Sequence, residues 1–182
     1  VSQAGLVNNL NDGMAWGLFP LVYAAAGASI AEIGMLAALY PAVWGLGQIV
    51  TGALSDVWGR KRLIVGGMWV QAAGIAVTGH AGELMGFAIG AILLGAGTAM
   101  VYRTLLAAIG DVARPDWRAS AVGIYRLWRD LGYAVGAVLA GLLADFYGLG
   151  SAVYVIAGVT VLSGTLAAWR MSETRIAATN AG

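Results

Sequence analysis

One phrase occurs twice in this sequence, first as Gly52-Ala53-Leu54-Ser55-Asp56-Val57-Trp58-Gly59 and again as Gly141-Leu142-Leu143-Ala144-Asp145-Phe146-Tyr147-Gly148. The first copy runs directly into Arg60-Lys61-Arg62, whereas the second runs into the uncharged Leu149-Gly150-Ser151. An internal duplication whose copies differ in this way fits two units inserted into a membrane in opposite orientations. Cytoplasmic ends of spanning helices collect Lys and Arg, and the far side does not.

The rest of the chain has the material for such an arrangement. A run of about 20 apolar residues crosses a hydrocarbon core of about 30 Å, and six such runs are present, near residues 4–27, 30–54, 62–79, 83–110, 118–144 and 149–170. With 60% hydrophobic residues, 10% charged residues and a mean hydropathy of +0.80, the partner implied is the lipid bilayer. The runs are near-continuous, which predicts helices, because membrane barrel strands alternate in polarity over about ten residues. The expected fold class is an all-α membrane protein: six transmembrane helices forming two inverted three-helix repeats, about 4–79 and 83–171. These make one transmembrane domain over residues 1–176, followed by a short cytoplasmic tail at 177–182. The chain starts on Val1 and enters a helix almost at once, which reads as an excerpt of a longer protein and not as a signal peptide.

Charge sets the orientation. With the N-terminus inside, the cytoplasmic segments hold Arg60, Lys61, Arg62, Arg114, Arg118, Arg170 and Arg175, while Glu32, Glu83, Asp145 and the lone His80 fall on the opposite side. Trp58, Trp117 and Trp169 lie at the cytoplasmic boundary, where an indole is favoured. Both termini are expected to be cytoplasmic, in a bacterial cytoplasmic membrane. Several classes of function are excluded. There is no cysteine for a disulfide or thiolate metal site, and a net charge of +1 carries no signal for nucleic acid. No nucleophile elbow, zinc-binding His pair or P-loop is present, so neither an enzyme nor a cofactor nor a metal site is expected.

Ionisable residues inside a membrane are costly and normally face a cavity or a partner. Five stand at that depth: Asp12, Arg103, Arg126, Arg129 and Asp130. At about 1.5 Å per residue, Asp12, Arg103 and Arg126 fall in one layer about 10–12 Å from the cytoplasmic ends. Arg129 and Asp130 lie about a turn deeper. The spacing i, i+3, i+4, i+7 gathers Arg126, Arg129, Asp130 and Tyr133 on one face of the fifth helix. Two readings are open. One is an internal salt-bridge cluster, Arg126 with Asp130 and Asp12 with Arg103. The other adds a carboxylate or phosphate solute to the surplus positive charge, a task suited to the two-pronged guanidinium. The polar run Asn8-Asn9-Leu10-Asn11-Asp12 cannot face lipid throughout, so Asn11 and Asp12 are candidates for the same path. The third and sixth segments carry only Gln71, Thr160, Ser163 and Thr165 as notable polar residues and read as outer scaffold helices. Gly86-x-x-x-Gly90 and Gly132-x-x-x-Gly136-x-x-x-Ala140 predict close helix approach.

The run Gly52-x-Leu54-Ser55-Asp56-x-x-Gly59-Arg60-Lys61-Arg62 resembles the signature loop of the major facilitator superfamily of transporters. Pro115-x-x-Arg118-Ala119-x-Ala121-x-Gly123 is a weaker match. The resemblance covers essentially the whole chain and is greatest to the C-terminal half, because Trp169-Arg170-Met171-Ser172-Glu173-Thr174-Arg175 is similar to the cytoplasmic exit of such carriers. It implies a second six-helix half as partner and a small-molecule substrate moved by alternating access. It also implies a gating loop at the interface of the halves, formed by Gly52, Asp56, Gly59, Arg60, Lys61 and Arg62. The physics of that loop agrees: Gly52 and Gly59 permit close backbone approach, Asp56 can accept from free amides at a helix N-terminus, and the basic triplet faces the anionic inner leaflet. The alternative is a non-transporting anchor or interaction module of a larger protein.

The topology is tested by single cysteines at Lys61 and His80. An impermeant thiol reagent added to intact cells is expected to label position 80 only. Labelling of both positions, or the reverse pattern, would overturn the six-span arrangement.

Overall fold

The computed structural model describes residues 1–174, so Arg175 and the tail at 177–182 lie outside the described residues. Six helices follow one another: α1 (Ser2–Ala25), α2 (Ile30–Trp58), α3 (Arg60–His80), α4 (Leu84–Val112), α5 (Arg118–Tyr147) and α6 (Leu149–Arg170). Five of them, α2 to α6, are long and apolar enough to cross a membrane by length and composition. The 24-residue α1 is long enough too, but Asn8, Asn9, Asn11 and Asp12 dilute its apolar character, and all four are buried within the bundle. Ser29 starts α2 with a reciprocal cap: its Oγ accepts from the Glu32 amide at 3.3 Å, and the Glu32 carboxylate accepts from the Ser29 amide at 2.7 Å.

Both copies of the repeated phrase end a helix on the same kind of turn. Gly59 is the single residue between α2 and α3, and Gly148 the single residue between α5 and α6; their φ angles are +93° and +85°. Such a φ favours glycine, which explains why the phrase closes on it in both places. The packing is paired as well, since α1 lies along α5 while α2 lies along α4, and these two contacts exchange when the first and second helix triplets are swapped. Helix α3 packs against α4 and α6.

Small residues set the closest approaches. A Cβ on Gly132 or Gly136 of α5 would collide with the carbonyls of Leu6 and Leu10 on α1, and one on Gly13 would meet the Tyr133 carbonyl in return. Between α3 and α4, Gly74 and Gly90 face each other in the same manner. The expected contact at Gly132, Gly136 and Ala140 is therefore made, against α1. Gly52 behaves differently: a Cβ there meets nothing, so the close approach expected from the sequence is not made within the described residues.

The polar side of α1 is satisfied from α3 and α6. Gln71 donates to Asn8 at 2.8 Å and accepts from Asn11 at 2.8 Å, while Thr160 donates to Asn11 at 2.8 Å. The few polar residues of α3 and α6 are thus the partners that make the Asn-rich segment tolerable inside the bundle. By contrast, α2 buries only Leu36, Tyr40, Thr51 and Ser55, and α5 only Tyr125, Gly132, Gly136 and Ala140.

Three substitutions separate these contributions. Gly136→Val forces α1 and α5 apart and is expected to destabilise the fold by about 1–3 kcal/mol, read as a lower melting temperature in detergent, whereas Gly141→Ala, which meets open space, leaves it unchanged. Gln71→Leu strands Asn8 and Asn11 and is expected to cost on the order of 1 kcal/mol. An unchanged melting temperature in Gln71→Leu would show that the amide cluster is not structural.

Candidate functional site

At the end of the bundle that carries the basic triplet, the short α2–α3 turn leaves the first amides of α3 without intrahelical acceptors. Glu173, just beyond α6, supplies them: its carboxylate accepts from the Arg60 amide at 2.8 Å and the Lys61 amide at 3.2 Å. The sequence reading gave that task to Asp56. Helix α2 instead continues through Asp56 to Trp58, which places the Asp56 carboxylate one turn behind Arg60, where it forms an i, i+4 ion pair at 2.7 Å. The Arg60 guanidinium also pairs with Asp111 of α4 at 3.1 Å and donates to Ser55 Oγ. With its side chain only 11% exposed and bound to three groups on two neighbouring helices, Arg60 is the fixed member of the basic triplet. Asp111 and Glu173 escaped the sequence reading because their partners lie far along the chain. The only signal was acidic character at two helix ends on the basic side.

Deeper than this cluster, α2, α4 and α5 border an open cleft of about 630 Å³. Four arginines line it, Arg60, Arg103, Arg126 and Arg129, against one carboxylate, Asp56. Arg129 is held on two sides: Nε and Nη2 donate to Asp130 at 2.8 and 2.7 Å, and Nη1 donates to the Tyr102 hydroxyl at 2.8 Å. The guanidinium carbon also lies 5.4 Å from the centre of the Tyr102 ring. Arg103 donates to the neutral Gln48 at 3.0 Å. Arg126 has neither an ion pair nor a hydrogen bond to its side chain among the described residues. Two guanidinium groups without a carboxylate partner therefore border one cleft, within the size range of small-molecule sites.

Both salt bridges expected from the sequence are replaced. Arg126 and Asp130 do not pair, because Asp130 is taken by Arg129. The Asp12 carboxylate is not met by Arg103; it accepts a hydrogen bond from Tyr40 of α2, whose hydroxyl also lies 3.4 Å from Thr98 Oγ1. Asp12, Asn11, Asp130 and Tyr133 are absent from the cleft lining. Asn11 is fully buried in the amide cluster on the α3 and α6 side of α1, and Tyr133 is 44% exposed on α5. Arg103, Arg126 and Arg129 line one cleft, joined by Gly52, Asp56 and Arg60 of the loop expected to gate, whereas Gly59, Lys61 and Arg62 of that loop are not part of the lining. Among the described residues, no group of three or more His, Cys, Asp or Glu side chains is placed to hold a metal ion.

Comparison with known proteins gives the family. The family model for the Major Facilitator Superfamily matches residues 2–181. The inner membrane transport protein YajR of Escherichia coli is 31% identical over 143 residues, 79% of this chain and 31% of that protein. An uncharacterised MFS-type transporter of Methanocaldococcus jannaschii is 26% identical over 147 residues, 81% of this chain and 38% of its own length. Citrate exporter 1 of Aspergillus niger is 31% identical over 131 residues, 69% of this chain and 24% of the exporter. The chain thus spans a third or so of the curated relatives it matches, 31% and 38% of the first two. Six helices, five of them of membrane type, a signature turn at Gly59 and a match along nearly its whole length place it: the chain belongs to the major facilitator superfamily.

Proposed function

We propose that this chain is one six-helix half of a secondary transporter that moves a small anionic solute by alternating access. The observation that carries the anionic reading is the pair Arg103 and Arg126, two guanidinium groups on the cleft with no carboxylate of their own. A carboxylate or phosphate placed between them completes the charge balance of the cleft. Arg129, already braced by Asp130 and Tyr102, adds positive potential with little rearrangement. The name of the Aspergillus relative, a citrate exporter, is in keeping with a carboxylate solute.

The sparsely buried faces of α2 and α5, beside the same cleft, call for a second helical half. They present Ile49, Val50, Leu127 and Val138 outward, side chains that either lipid or another helix must cover. In this arrangement the basic end is cytoplasmic, in a bacterial cytoplasmic membrane. The gating loop acts there as a latch, with Arg60 tying Asp56 and Asp111 together in one state and releasing them in another. Rocking of one half against the other would expose the cleft alternately to the two sides.

The test uses the complete transporter purified in detergent, with citrate and inorganic phosphate as probes. Arg103→Gln and Arg126→Gln are each expected to weaken binding of the favoured probe about tenfold, about 1.4 kcal/mol, without lowering the melting temperature. Arg126→Lys retains the charge but not the fork and is expected to fall between wild type and Arg126→Gln. Binding that is unchanged in both Gln variants would overturn the anionic reading.

A further inference from the structure

Beside the arginines runs a second, uncharged feature. Trp16 of α1, Tyr40 and Trp44 of α2 and Tyr102 of α4 follow one another ring to ring, at centroid separations of 6.3, 6.3 and 5.4 Å. The series begins in a small apolar recess between α1 and α2, lined by Trp16 and Tyr40 among others, and ends at Tyr102 on the wall of the arginine cleft. There the Arg129 guanidinium lies against the last ring at 5.4 Å. Three helices therefore contribute one series of packed rings, of which Tyr102 alone lines the cleft that holds the cations.

A second observation concerns the ring packed against Tyr102. The indole N–H of Trp44 is buried and has no hydrogen-bond acceptor, the one side-chain polar atom in that condition among the described residues. Buried donors are nearly always paired, and an orphan marks a place where another group belongs. Trp44 stands between Tyr40 and Tyr102, within the aromatic series, and not in the packed interior of α3 or α6. Elsewhere the polar groups buried near α1 are matched one to one, as at Gln71, Asn11 and Thr160. The exception at Trp44 is specific to the ring series.

We infer that the solute is a planar aromatic anion, its carboxylate held by Arg126 and Arg103 and its ring lying against Tyr102, the one aromatic side chain of the cleft lining, which Trp44 backs edge to face. This rests on the anionic reading above and narrows it. The chemistry follows from the two features together. Arginines alone accept any small anion, whereas edge-to-face and offset ring contacts favour an aromatic body over a saturated one of equal size.

Benzoate and cyclohexanecarboxylate, which share charge and approximate size, make the test, with inorganic phosphate as an anion lacking a body. On the complete transporter, benzoate is expected to bind about five- to tenfold more tightly than cyclohexanecarboxylate. Tyr102→Leu and Trp44→Leu, which removes the ring packed behind it, are expected to abolish that preference, and Tyr102→Phe, which keeps the ring, to preserve it. Equal binding of the two carboxylates by wild type, or a preference that survives in both Leu variants, would overturn the inference; phosphate binding lost in Arg126→Gln would still leave the anionic reading standing. Failure of wild type to bind benzoate, cyclohexanecarboxylate or phosphate would overturn both. If Trp44→Leu does not fold, Tyr102→Leu against Tyr102→Phe decides alone.

Discussion

A carboxyl or amide left uncovered in hydrocarbon costs several kcal/mol by order of magnitude, and α1 carries four such groups within five residues, from Asn8 to Asp12. Most of the bundle can be understood as the enclosure of that segment. Helices α3 and α6 bring Gln71 and Thr160 to its amides, and α2 brings Tyr40 to its carboxylate. On the remaining side α5 offers glycines, so that backbone lies on backbone and no side chain intervenes. Membrane helices gain little from apolar burial against one another, and polar contacts and close packing supply the preference for one arrangement. Here both originate on the same helix.

The charged residues obey the same economy on the opposite face. Every carboxylate near the cleft is engaged by a guanidinium: Asp56 and Asp111 by Arg60, Asp130 by Arg129. What is left over is positive, and it is gathered where α2, α4 and α5 diverge instead of being spread around the perimeter. The Arg60 ion pairs and the cleft share Arg60 and Asp56, so a charge placed in the cleft alters the electrostatics of those pairs within a single helical turn.

Helix number and order were legible in the sequence because apolar runs of membrane length leave little freedom, and the turns at Gly59 and Gly148 were marked by their glycines; the end of α2 was not, since the helix runs past the apolar stretch through Asp56 to Trp58. The face of α5 carrying Arg126, Arg129 and Asp130 was legible from period alone. Partner choice was not. Helical spacing favoured Arg126 with Asp130, yet the long Arg129 side chain curls back to its immediate neighbour and is steadied by Tyr102, a residue of another helix. Asn11 was read as part of a solute path because its polarity was visible and its azimuth was not. The rotation of α1 that turns it toward Gln71 is set by the glycine contacts with α5, a tertiary fact. Glu173 and Asp111 were missed for the related reason that capping and pairing across more than a hundred or about fifty residues leave no local pattern.

The two one-residue connections have a mechanical consequence. With only Gly59 between them, α2 and α3 have no slack to slide along their axes, and the same holds for α5 and α6 across Gly148. Each pair can change its relative attitude only by pivoting at a single α-carbon. Glu173 grips the start of α3 from beyond the end of α6, so a pivot at Gly59 would also pull on the far end of the second pair. The bundle is in that sense a linkage with two pins and one strap, stiff against shear and free chiefly to tilt.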